Sequence, residues 1–124
     1  MRKTFMKTGL TLVATILLSA MLTLPSQSQT GSYLYWGAPT LTTGSVRTGF
    51  DFAADALRGE GFTNIRRSTS EVTGAKNGTY VAITCIGTAP RVTAMVMVTG
   101  NNNAATAQIR DQVVRKIKGM IRFD

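Results

Sequence analysis

Histidine is absent from this chain, and cysteine occurs once, at Cys85. The first absence removes the commonest general base and the commonest metal ligand together. The second excludes an internal disulfide, so stability has to come from packing. Acidic residues are few as well, six against 14 lysines and arginines. No glycine-rich phosphate loop, serine-nucleophile motif or metal-ligand spacing occurs, and there is no internal repeat or heptad run. No cofactor is implied.

What is present begins with a pattern for export. Arg2, Lys3 and Lys7 form a positive leader, and residues 8–24 carry no charge and include Leu10, Leu12, Val13, Ile16, Leu17, Leu18, Met21 and Leu22. Pro25 breaks that run, and Ser26 and Ser28 are small residues at the two positions a signal peptidase reads. We read residues 1–28 as a secretory signal cleaved after Ser28, with Ala20 as the alternative site. No cysteine stands directly after the apolar region, which argues against a lipoprotein anchor. Left uncleaved, the run is near the lower limit of about 17 residues for a membrane span. In either case the folded part is expected outside the inner membrane, periplasmic or secreted, and any contact with membrane is through this segment alone. Cleavage leaves 11 basic and six acidic residues, a net charge of +5.

Fewer than a hundred residues then remain, enough for one core and one domain. Residues 29–44 read as an extended arm with Tyr33, Leu34, Tyr35 and Trp36 in a row, and residues 45–124 as a single α+β domain. Ser45 is a suitable cap for a first helix whose apolar stripe is Val46, Phe50, Ala53, Ala54 and Leu57, ended by Gly59 and Gly61. Phe52 points about 120° from that stripe and needs another partner, for which the aromatic arm is the expected one. Residues 62–73 read as one polar strand. Asn77-Gly78 is the sequence of a tight hairpin turn, so residues 79–87 become the next strand. A turn centred on Pro90 and Arg91 leads into a third strand. Asn101, Asn102 and Asn103 supply caps for a closing helix with the stripe Ala105, Ile109, Val113, Ile117 and Met120. The expected fold is a two-layer α+β sandwich in the order (β)αβββα, an antiparallel meander with both helices on one face.

Strand alternation then assigns sides. Val72, Val81, Ile83, Cys85, Ala94, Val96 and Val98 belong beneath the helices. The opposite side carries Tyr80, Ile86, Met95 and Met97 among threonines, more apolar than a solvent-facing surface normally is. One helical layer cannot coat both faces. The arm, with Tyr35 and Trp36, a second copy of the chain or a ligand would cover the rest, and large apolar patches usually mark contact sites. The bland reading is a threonine-rich surface that water tolerates.

Three features invite chemistry, and each has a plainer account. Cys85 lacks a base to ionise it and sits on the buried side, as free cysteine usually does. Asp51 and Asp55, one helical turn apart, are the pair a small hydrolase or transferase would use. Arg47 and Arg58 are spaced to pair with them as surface ions. Arg110, Arg115, Lys116 and Lys118 form a basic stretch suited to an anionic polymer or envelope component, or simply a solvated helix face. Nucleic acid is disfavoured, because the sheet lacks the interleaved aromatics that stack bases and the chain is directed for export. The expectation is an exported, non-catalytic domain that binds copies of itself or an envelope component, through Tyr80, Ile86, Met95 and Met97 with Tyr35 and Trp36.

Overall fold

A computed structural model describes residues 32–122, and the expected leader and cleavage site of residues 1–28 lie outside them. In chain order the elements are β1 (Tyr33–Gly37), α1 (Val46–Gly59), β2 (Thr63–Arg67), β3 (Val72–Lys76), β4 (Thr79–Gly87), β5 (Val92–Gly100) and α2 (Asn103–Lys118). The five strands form one antiparallel sheet in the order β1-β5-β4-β3-β2. Among the described residues no helix is long and apolar enough to cross a membrane.

The α+β class and the meander are as expected, with one more strand. Residues 62–73 are two strands, because Ser68 turns the chain between them: its hydroxyl oxygen accepts from the backbone N–H of Ser70 and of Glu71, both at 3.2 Å. Such local bonds offer the backbone a turn in place of a ladder. Asn77, at φ +48°, and Gly78, at φ +76°, make the expected tight turn. The following turn is at Ala89 and Pro90, not Pro90 and Arg91, and pairs Gly87 with Val92. That moves the β4–β5 register by two residues, and because side chains alternate with period two, every residue keeps its assigned side.

Both helices cover the same face. Val72, Val81, Ile83, Ala94, Val96 and Val98 are fully buried there, and the glycines on that face show what lies over them. A side-chain carbon at Gly49 of α1 would stand 3.1 Å from the Cys85 sulfur, and one at Gly37 of β1 only 2.9 Å from Val114 of α2. The helix α1 lies over β2, β3 and β4, whereas α2 lies over β5 and β1 and beside α1. Because α1 is covered on two sides, its buried arc is wider than one stripe and takes in Phe52 and Ala56. Phe52 is therefore part of the common core with Val113 and Ile117 of α2, while the aromatic arm is paired with β5 at the sheet edge.

Local chemistry fixes the helix ends. The Ser45 hydroxyl accepts from Thr48 N at 3.2 Å and the Asn102 side chain from Ala105 N at 2.9 Å, each satisfying a free N–H of the first turn. Gly61, not Gly59, takes the left-handed conformation after α1, at φ +83°. In α2 the expected stripe shifts at its start. Ala105 is exposed and Thr106 is buried in its place, its hydroxyl donating to the Asn102 carbonyl at 2.6 Å. Thr106 packs there because position 100 is glycine: a side-chain carbon would come within 2.5 Å of its hydroxyl.

Candidate functional site

The uncovered face can be laid out from the strand register, since directly paired residues share a side. Trp36, Met97, Ala82, Thr73 and Arg66 form a row across all five strands. The next row holds Leu34, Thr99, Tyr80 and Ala75. On the other side of the first row Met95 pairs with Thr84, and beyond it Thr93 pairs with Ile86 and bridges to Thr40. Leu34 is 62% exposed, Trp36 59%, Tyr80 51%, Ile86 47% and Met97 38%, with Met95 half-buried. Among the described strand residues on this side Arg66 is the charged one, and Glu71 lies beside it near the β2 edge. The centre of the face and its β1 side are neutral.

The arm does not fold over this surface. It joins the sheet as β1 and enlarges the face by two large side chains, Leu34 and Trp36. Leu34 was not singled out in the sequence, although alternation from Trp36 points to it. Tyr35 turns the other way: its hydroxyl donates to the Asn103 side chain, and the Arg110 guanidinium carbon lies 5.6 Å from its ring centre. Arg110 also binds Asp111 at 2.7 Å and donates to the Trp36 carbonyl, so of the basic stretch it is the member held at the β1 edge. Arg115, Lys116 and Lys118 are exposed on the helical layer, and among the described residues none of them forms an ion pair.

The carboxylates of α1 are each taken up separately. Asp55 pairs with Arg58 at 2.6 Å, as spaced. Asp51 does not pair with Arg47; it is held by Arg67 of β2 at 2.6 Å and Arg122 after α2 at 2.8 Å. Hydrogen bonds from these two guanidiniums, Arg67's first, hold its pKa below the ordinary carboxylate value. That keeps Asp51 ionised and acceptor-only, the wrong state for a general acid. Among the described residues no three acids or thiols gather as metal ligands. Cys85 is buried, and its thiol is pushed up to about 11 by burial, so at neutral pH it is protonated and not a nucleophile.

Two shallow grooves flank the β2–β3 turn. One of about 390 Å³ is lined by Val46, Arg47, Phe50, Arg67, Ser68 and Thr69. The other, of about 260 Å³, runs past Arg66, Glu71 and Thr73 to Tyr80 on the uncovered face. Neither holds a nucleophile next to a base. The feature with the clearest chemical character is the broad, neutral, aromatic and thioether face itself. No model of a known protein family matches this chain, and no curated protein matches it either.

Proposed function

We propose that this chain is an exported, non-catalytic domain that works by contact through the uncovered face of its sheet, and that a second copy is the first occupant of that face. The observation that carries the reading is the joint exposure of Trp36, Tyr80, Ile86 and Met97 on one side of a sheet whose two helices are both on the other. Apolar side chains gathered like this lose water only when another surface arrives. The neutrality of the face within a body whose net charge is +5 once residues 1–28 are removed favours a neutral occupant over an anionic polymer. The ion pairs of Asp51 and Asp55 and the protonated Cys85 support contact over catalysis. Export rests on the leader of residues 1–28.

The full chain, expressed with its leader and purified after processing, should give an intact mass that begins at Gln29. Light scattering should place it above the monomer mass. Met97→Arg should lower that mass without changing the circular dichroism spectrum, because it puts a charge in the middle of the contact. A processed protein that stays monomeric at every concentration would rule out self-association. Binding of the monomer to isolated envelope fractions, lost in Met97→Arg, would then assign the face to an envelope component.

A further inference from the structure

The two edges of the sheet differ in a way that bears on how copies join. Along β5, Ala94 N–H donates to Pro39, and Val92 both accepts from Leu41 and donates to Thr43, so even-numbered residues direct their main-chain groups toward the β1 side. Alternation extends this to Val96, Val98 and Gly100, which pair with Gly37, Tyr35 and Tyr33. Leu34 and Trp36 therefore turn their N–H and C=O groups outward from the sheet, and the bond from Arg110 to the Trp36 carbonyl lies on this outer side. The strand YLYWG carries no charge, proline or bulge to guard it. At the opposite edge β2 is irregular between Thr63 and Arg66, has Asn64 at φ +56°, and carries the charge of Arg66, Arg67 being tied to Asp51 of α1. Natural sheets use bulges and charges of that kind to prevent strand addition.

We propose that β1 is a seam at which a second copy adds its own β1 antiparallel, turning two five-stranded sheets into one of ten strands. The strand is its own complement. With a two-fold axis through Tyr35, Leu34 stands opposite the partner's Trp36, and both residues direct their main-chain groups into the seam. Their N–H and C=O groups exchange bonds at two symmetric pairs, and the second lone pair of the Trp36 carbonyl remains for Arg110. Each leucine side chain meets an indole on the uncovered face, an apolar–aromatic cross-strand pair. Charge also permits the approach, since Arg110 and Asp111 beside the seam neutralise each other within each copy. The chain's own leader does not compete: cleavage after Ser28, on which this step rests, leaves only residues 29–31 ahead of Ser32, too few to turn back and pair.

Among the described strands only β1 leaves its edge open, so addition stops at two instead of continuing as a fibre. The axis is perpendicular to the sheet, so the two uncovered faces merge into one platform. If such platforms also pair face to face, as proposed above, the assembly is a tetramer with two independent contacts.

Light scattering on four proteins separates the contacts. The processed wild type should have the mass of four copies, Met97→Arg that of two, Leu34→Pro that of two, and the double variant that of one. Proline at position 34 removes the outward N–H while sparing the bonds to β5. Leu34→Ala, which keeps that N–H, should retain the seam in the Met97→Arg background. A Met97→Arg protein that is already monomeric overturns the seam and leaves the face contact standing. A wild-type dimer that Met97→Arg leaves intact and Leu34→Pro dissociates supports the seam and overturns the face contact. If Leu34→Pro fails to fold, amide exchange on the unmodified chain decides: the Leu34 and Trp36 amides should be protected when concentrated and exchange freely on dilution. Equal, fast exchange at both concentrations sinks the proposal.

Discussion

Along β4 the two faces of one sheet are written in alternate residues: Val81, Ile83 and Cys85 on one side, Tyr80, Ala82, Thr84 and Ile86 on the other. The first set is buried under α1, and the second ends in two side chains about half exposed. Both sets are good strand formers, so strand propensity does not distinguish them. The layer above does. Hydrophobicity on the covered face contributes to folding, whereas similar hydrophobicity on the bare face contributes little until something docks there.

The sharpest way to break that comparison is with two isoleucines on the same strand. Ile83 is fully buried and Ile86 is 47% exposed. Ile83→Ala should destabilise the fold by about 2–5 kcal/mol through lost transfer energy and the cavity left behind. Ile86→Ala in dilute protein should change stability by less than about 0.5 kcal/mol, as surface substitutions do. Urea denaturation followed by circular dichroism reads both. Equal losses would mean that the face is covered within a single chain, and the contact reading would fail with it.

Cys85 tests the covered face without altering it. Its thiol lies under α1 and its pKa, about 11, is above the 9.0 of an exposed thiol. Ellman's reagent at pH 8 should therefore react with the folded protein far more slowly than with the urea-unfolded chain, by orders of magnitude. The sign in alkali follows from the same shift. The folded thiol holds its proton while an unfolded one loses it, so this group's contribution to stability is present below pH 9 and is lost as the pH rises toward 11. Rapid labelling of the native protein would place Cys85 within reach of solvent and weaken the two-layer description.

How much of this was legible in the sequence follows the range of the interactions. Side assignments depend only on alternation, and they survived even a turn misplaced by one residue, because the register moved by two. Caps at Ser45 and Asn102 were readable since donor and acceptor are three residues apart. The split between β2 and β3 depended on a hydroxyl, that of Ser68, competing with the ladder, and the cluster Ser68, Thr69, Ser70 was its only local sign. What was hidden is non-local. Nothing near Tyr33–Gly37 tells that it pairs with Val96 to Gly100, and so that the arm widens the bare face instead of shielding it. The partners of Asp51 were hidden for the same reason, being Arg67 and Arg122 and not the helical neighbour Arg47.

The smallest expected effect comes from those partners, and it sharpens the comparison by showing how little charge adds to the covered side. Asp51 joins α1 to β2 through Arg67 and to the segment after α2 through Arg122, but all three side chains are between about a third and a half exposed. Exposed pairs of this kind are screened and contribute modestly. Asp51→Asn should lower the melting temperature slightly at pH 7. Because the folded carboxyl has a pKa below its ordinary 3.8, its contribution is present above about that pH and disappears as the pH falls through the depressed value. The difference between wild type and variant should therefore shrink steadily as the solution is acidified below the ordinary carboxylate range, and should shrink in 1 M salt at pH 7. A difference that persisted through both conditions could not be ionic, and would move Asp51 from the electrostatics of the helical layer into its packing.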